Sequence, residues 1–232
     1  MNGKTSSNEK PKEASFPARR RFLQAALGAG LALGARTAVR ASEPRPPGAA
    51  RVRVGLIGTD GHTGVILGSI PQLPDVELTA FAKSLPEDDV ANLKRAKAFS
   101  DKTRIYDHFE QMLEKEELDV VGVCLPYYRN AQASIAAARR GVHVVSEKPV
   151  ATTLEDLAAL KEAVTQAKVR LTSLMNMRCF PPYRAARKAV QDGLIGEPIL
   201  LTSQKSYRFG SARPWFYKDL KTYGGTIPWA GI

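Results

Sequence analysis

From Arg51 onward, apolar residues gather in short runs separated by longer stretches of helical period. Val52–Gly58 is the first run, Val76–Ala82 the second, Val120–Cys124 the third and His143–Ser146 the fourth, with Arg104–Tyr106 a minor one. Between them the spacing predicts a helix from about Thr63, others over Glu87–Phe99 and Phe109–Glu117, and an alanine-rich helix over Ala131–Arg140 that stops at Gly141. Apolar strands alternating with helices specify a parallel sheet covered on both faces. The fold class is therefore α/β, a doubly wound parallel sheet over residues 51–150.

Beyond Pro149 the pattern changes. Thr152-Thr-Leu-Glu155 is a capping box that opens a helix over Glu155–Ala167, and Val169–Met175 reads as a strand. A further helix over about Tyr183–Gln191 ends at Gly193, and Pro198–Tyr207 alternates as a sheet strand does. Residues 151–232 are read as the start of an α+β domain with a mostly antiparallel sheet.

The chain's formal charge of +11 changes the picture less than its size suggests. Residues 1–51 hold ten Lys/Arg against three Glu, a net +7, which leaves +4 for everything after them. No basic surface interleaved with aromatics appears, so nucleic acid is not an expected partner. The N-terminal excess belongs to a leader. Arg19-Arg20-Arg21-Phe22-Leu23 precedes an apolar stretch rich in Ala, Leu and Gly, then the small-residue site Val39-Arg40-Ala41. This resembles a twin-arginine signal peptide over residues 1–41, and it implies passage through the twin-arginine translocase and a periplasmic or otherwise exported location. Ser42–Ala50 reads as a linker. Two cysteines, Cys124 and Cys179, and three scattered histidines carry no metal-ligand spacing, so no metal is expected.

Candidate chemistry begins where the first strand meets the first helix. Gly58-Thr-Asp60-Gly61-His62-Thr63-Gly64 has the glycines that let a backbone turn tightly and approach a pyrophosphate, with a helix N-terminus to meet its charge. The spacing is G-x-x-G-x-x-G, and Asp60 stands where the usual motif has its second glycine. It crowds a phosphate unless its side chain points away or caps the helix. At the carboxyl end of the second strand, Lys83-Ser84 replaces the acid expected to hold the adenosine ribose. A cation and a hydroxyl suit a 2′-phosphate, so the residues lean toward NADP over NAD; a solvated surface lysine is the plain alternative.

The segment Gly141-Val-His-Val-Val-Ser-Glu147-Lys148-Pro149-Val-Ala151 resembles the glucose–fructose oxidoreductase and inositol dehydrogenase family (Gfo/Idh/MocA). The Gly-rich loop, Leu118–Pro126, Arg178-Cys-Phe-Pro181 and Trp215…Tyr223-Gly-Gly-Thr226 agree with it in order. The resemblance implies a Rossmann-type domain, Lys148 as the active-site lysine, and a cofactor site lined by Leu125, Pro126, Tyr127 and Glu147, with Arg178 and Trp215 near the nicotinamide. A lysine there has a physical reason, because its ammonium can hydrogen-bond the hydroxyl being oxidised and stabilise charge developing on the oxygen. Pro126 is usually followed by Asn and, three residues later, His; here Tyr127 and Asn130 stand in those places.

The resemblance also implies an acid/base histidine immediately after the run-up Gly224–Ile232, in which Trp229 replaces a frequent Asp. On that ground the chain is expected to be a C-terminally truncated member, homo-oligomeric at full length. The function implied is an exported NAD(P)-dependent oxidoreductase moving hydride between nicotinamide and a sugar, cyclitol or related polyol. Two alternatives stay open: an NAD-dependent glycoside hydrolase of the same family, and a catalytically inactive cofactor-binding fragment.

Overall fold

A computed structural model of the protein describes residues 51–225 apart from Asn92, Lys205, 207–209 and Ala212. The leader, the linker and the run-up beyond Gly225 lie outside the described residues.

Six strands form one sheet: β1 (Val52–Ile57), β2 (Val76–Ala82), β3 (Arg104–Tyr106), β4 (Val120–Val123), β5 (His143–Ser146) and β6 (Leu171–Ser173). Their order is β3-β2-β1-β4-β5-β6 and every pairing is parallel. The order reverses direction between β1 and β4, so the connections leave in opposite senses there and open a crevice at the strands' carboxyl ends. The helices in the connections are α1 (Thr63–Ser69), α2 (Phe109–Lys115), α3 (Tyr127–Arg139) and α4 (Leu154–Gln166); α5 (Pro181–Gln191) and the one-turn α6 (Leu220–Tyr223) follow.

Alternation along the strands builds two cores, one on each face. Leu56 packs with Leu67, Ile70, Phe81 and Cys124 on one side, whereas its neighbour Ile57 packs with Phe109, Met112, Val121 and Val123 on the other. Both residues of the pair are fully buried, which only a sheet covered on two faces provides. The small side chains Ala133 and Ala137 let α3 lie close against the sheet, and Ala138 meets Ala163 of α4. Gly141, at φ 78°, closes α3 in the left-handed conformation.

Four expectations need correction. The helix over Glu87–Phe99 is reduced to a 3-10 turn at Leu93–Arg95. Asp88 Oδ2 accepts from the Leu85 N–H (3.0 Å) and Asp89 Oδ1 from the Ala91 N–H (2.8 Å), local bonds that compete with a helical ladder. Val90, Leu93, Ala98 and Phe99 still pack on the sheet from turns. The alanine-rich helix starts four residues early, at Tyr127, directly after Pro126. The α4 cap falls one residue later than the capping box implied: Thr153 accepts from the Asp156 N–H at 3.1 Å.

The fourth correction concerns the second domain. The sheet continues past residue 150, because β6 pairs with β5 through α4 in an ordinary βαβ crossover. Among the described residues, Pro198–Tyr207 forms no strand, and Ile199, Leu200 and Leu201 are each at least 82% exposed. An alternating segment becomes a strand only where a neighbouring backbone completes its hydrogen bonds.

Candidate functional site

The crevice between β1 and β4 gathers most of the candidate residues. β1 runs into Gly58, whose N–H bonds the Ala82 carbonyl at the end of β2 (2.8 Å), while the Asp60 N–H bonds Cys124 O at the end of β4 (2.8 Å). The Gly-rich loop is thus pinned across three strand ends before α1 begins. Gly58 (φ 78°) and Gly61 (φ 67°) are left-handed, and a Cβ on either would collide with a neighbour. At Gly61 it would stand 2.6 Å from the Glu147 carboxyl carbon.

Glu147 is the centre of the arrangement. It follows β5 and is completely buried, which for a carboxylate demands partners. Its Oε2 accepts from the His62 N–H (3.2 Å), and His62 Nδ1 stands 2.8 Å from Oε1. The Glu147 N–H donates to Val123 O (2.7 Å). Glu147 therefore welds the Gly-rich loop to the end of β5, a role the motif's spacing in sequence did not reveal. Lys148 comes next and is half-buried, and the peptide bond to the buried Pro149 is cis.

Asn130, in the place where the family pattern has a histidine, is fully buried. Its Oδ1 accepts from the Leu125 N–H (3.1 Å) and its Nδ2 donates to Pro149 O (3.1 Å). One amide side chain thus ties the turn after β4 to the turn after β5, and backbone on both sides of Lys148 is held.

Tyr127 opens α3 and is buried. Its hydroxyl lies 2.5 Å from that of Tyr217, and its ring packs edge-on against Phe216 and Tyr217. Tyr223 stacks on Tyr217 at 5.1 Å. Burial pushes the Tyr217 hydroxyl up, and its bond to Tyr127 partly offsets this. Phe216 and Tyr217 were not foreseen, and Tyr223 stood out only as part of the Trp215…Thr226 motif, since nothing local in sequence marks a segment that docks on a helix ninety residues earlier.

The adenosine side of the crevice differs from expectation. Lys83 Nζ stands 2.8 Å from Asp107 Oδ1 and donates to Pro86 O at 2.7 Å. Lys83 thus already has an anionic partner at the end of β3. Ser84 is buried and turns inward: its Oγ accepts from the Thr59 N–H (3.3 Å) and donates to Asp60 Oδ2 (3.1 Å). The Asp60 side chain is thus drawn toward the end of β2. Thr63 Oγ1 donates to the Asp60 carbonyl (3.1 Å). Arg129, on the first turn of α3 and also unforeseen, donates to Ser84 O at 2.6 Å.

Burial raises the Asp60 carboxyl to about 6, against the lowering pull of its Ser84 bond and of Arg129. The folded state then holds a proton that the unfolded chain releases nearer pH 4, so stability is expected to fall as pH rises from about 4 to 6. The loss is at most roughly 3 kcal/mol. Urea titrations across that window should show it, and Asp60→Asn should flatten this component; a profile unchanged by the substitution would assign the slope to other groups. Burial likewise pushes the Cys124 thiol up to about 12, which makes it an inert core residue.

Two candidates stand apart from the crevice. Arg178 is exposed in the 3-10 turn Asn176–Cys179, with no contact to the other candidates among the described residues. Trp215 is half-exposed and meets the ring of Phe216 edge-on, ring centres 5.9 Å apart.

The crevice suits a dinucleotide. Gly58 and Gly61 hold the loop down, while a Cβ at Gly64 would meet nothing within 4 Å, so the first turn of α1 is open on the side where its N–H groups lack helical partners. Gly58, Gly61, Thr63 and Gly64 would hold the pyrophosphate, and Leu125, Pro126 and Tyr127 follow the neighbouring strand β4.

Comparison with known proteins agrees. Residues 52–174 match the family profile GFO_IDH_MocA, described as an oxidoreductase family with an NAD-binding Rossmann fold. The chain is 31% identical over 174 residues to inositol 2-dehydrogenase of Rhizobium meliloti (strain 1021), covering 75% of this chain and 50% of that one. It is 29% identical over 184 residues to a glycosyl hydrolase family 109 protein of Solibacter usitatus, covering 75% and 41%. A solved chain from Thermotoga maritima superposes with a TM-score of 0.71 at 34% identity, covering 78% of this chain and 55% of that one. The chain spans half or less of the length of these curated relatives.

Proposed function

The chain belongs to the Gfo/Idh/MocA oxidoreductase family, and from that premise we propose that it binds NAD(P) across the carboxyl edge of its sheet and serves hydride exchange with a sugar, cyclitol or related polyol. One observation carries the reading. Glu147, buried and bonded to His62, brings the dinucleotide loop and the Glu-Lys-Pro turn to one point, so that Lys148 stands where the nicotinamide half of a cofactor on that loop would end.

When bound, the nicotinamide supplies the hydride acceptor or donor. The chain's residues do the rest. The Lys148 side chain hydrogen-bonds the substrate oxygen: as the neutral amine it takes the hydroxyl proton while hydride leaves the carbinol carbon, and in the reverse direction its ammonium returns that proton to the oxygen. The bonds of Glu147 to Val123 O and of Asn130 to Pro149 O fix the backbone from which it reaches. The tyrosine cluster on the first turn of α3 walls that end with apolar ring surface and shields it from water.

Titrating the chain with NADH and NADPH, read by cofactor fluorescence, should give saturable binding to at least one. Incubating a chain of the relatives' length with a polyol panel should then produce net reduced cofactor. Hydrolysis of a glycoside with no net change in cofactor would instead favour the second reading, a borrowed-hydride glycosidase, which the similarity to the family 109 protein supports. Saturable binding of neither nucleotide would end both.

We further propose that residues 1–41 direct twin-arginine export, a route that carries folded proteins and therefore permits a cofactor to travel in place. Replacing Arg19 and Arg20 by Lys removes the guanidinium fork, which an ammonium does not reproduce. The precursor is expected to stay in the cytoplasm in that double variant, as read by fractionation. Continued export would refute it.

A further inference from the structure

In a doubly wound dinucleotide site, the adenosine ribose lies between the first Gly-rich loop and the carboxyl end of the second strand, and an acid from that strand end accepts its 2′-hydroxyl. Here β2 ends without an acid, and the two residues after it turn opposite ways. Lys83 reaches outward to Asp107 at the end of β3 (2.8 Å). Ser84 turns inward against the loop: a Cβ on Gly58 would lie 2.8 Å from its Oγ, and that Oγ donates to Asp60 Oδ2 at 3.1 Å. A carboxylate therefore does face the ribose position, but from the other wall. Its Oδ1 meets no donor among the described residues, which leaves that oxygen able to accept.

The groups around it set the electrostatics. Asp88, held by the Leu85 N–H, and Glu147 beneath the loop add negative charge on Asp60's side. Arg129 acts on Asp60 with the opposite sign, and its Nη1 already donates to Ser84 O at 2.6 Å. A 2′-phosphate would meet the Asp60 carboxylate, with Asp88 and Glu147 adding to its negative field and Arg129 already engaged. A bare hydroxyl would find an acceptor.

We propose that Asp60, from the Gly-rich loop itself, accepts the adenosine 2′-hydroxyl in place of an acid at the end of β2, and so selects NAD against NADP. The assignment rests on the dinucleotide reading above, and it reverses the preference that Lys83 lent in sequence. It also explains why an acid is tolerated among the glycines: Ser84 draws its side chain off the phosphate path.

The test is binding to the full chain at pH 8, where the Asp60 carboxyl is ionised. Dissociation constants for NADH and NADPH are measured by fluorescence titration on the parent, Asp60→Asn, Asp60→Gly, Lys83→Ala and Arg129→Gln. The parent is expected to bind NADH at least tenfold more tightly. Asp60→Asn should bring the two within about threefold, and Asp60→Gly, which places the family's residue in the loop, should do the same if the asparagine variant misfolds. Lys83→Ala should leave the ratio unmoved. A parent that favours NADPH, with Arg129→Gln abolishing the preference, would overturn the proposal and give the corner to a 2′-phosphate. A ratio that moves with Lys83 but not with Asp60 would also overturn it. Binding of both nucleotides without discrimination overturns this assignment alone, whereas binding of neither overturns the dinucleotide reading beneath it.

Discussion

Replacing Lys148 by alanine in a chain of the relatives' length is expected to lower kcat by at least about 10²–10³ while changing the NADH dissociation constant by less than about threefold. Loss of one donor aimed at a developing oxyanion costs roughly 3–4 kcal/mol, and loss of a proton-transfer partner adds roughly 10²–10⁴ where the lysine also moves the proton. Cofactor affinity should survive because the loop and the turn are held by other groups. Glu147 is held by His62 and Val123, and Pro149 by Asn130, through contacts that the Lys148 side chain does not make. The measurement is kcat on the substrate panel beside cofactor fluorescence. A variant that keeps more than about a tenth of the parent's kcat, a loss below about 1.4 kcal/mol, would take the chemistry away from Lys148. A parallel collapse in NADH binding would make it a structural residue.

Much of this architecture was legible because its signals are local. The five apolar runs from Val52 to Ser146 became five strands, and the Gly58–Gly64 loop fell between the first strand and the first helix as its glycines required. What was not legible is what distant segments decide. The strand expected around Val169–Met175 exists, but its membership in the first sheet depends on α4 packing against α3, through Ala138 and Ala163, and a run of apolar residues does not announce its neighbour. Glu87–Phe99 carried a helical period, yet Asp88 and Asp89 spent their side chains on nearby N–H groups, and the apolar residues found the core from turns.

The site divides in the same way. Glycines, Glu-Lys-Pro and Pro126 stood out as types in a pattern. Lys83 was read without its partner, Asp107, which lies on a different strand end and is adjacent to it only once β2 pairs with β3. Asp60 was visible as a departure from the usual motif, but its meaning depends on Ser84, 24 residues away. Where a residue violates the local rule of its motif, the fold supplies the compensating neighbour.

The loop is clamped most tightly at its first glycine. Gly58→Ala is expected to lower the unfolding free energy by roughly 3–5 kcal/mol and to abolish saturable NADH binding. Two costs combine. A left-handed φ of 78° charges a residue with a Cβ about 1–3 kcal/mol. The added methyl would also overlap the Cys124 carbonyl oxygen and lie 2.8 Å from both Leu125 Cδ2 and Ser84 Oγ. Backbone at the end of β4 cannot rotate aside as a side chain tip would, and overpacking of this kind costs roughly 1–3 kcal/mol. Relief requires the loop to lift from the sheet, which moves Asp60 off Ser84 and His62 off Glu147, the two bonds that shape the cofactor's path. The control is Gly64→Ala, six residues on. There the conformation is helical, within α1, and the new methyl meets nothing within 4 Å, so stability should hold or rise by up to about 1 kcal/mol, the helix preference of Ala over Gly. Thermal unfolding of both variants beside NADH titration decides it. At about 2–4 °C per kcal/mol, Gly58→Ala should melt roughly 6–20 °C below the parent. Equal melting temperatures for the two variants would mean that the loop is not clamped against β4, and the reading of this crevice as a rigid dinucleotide cradle would fail with it.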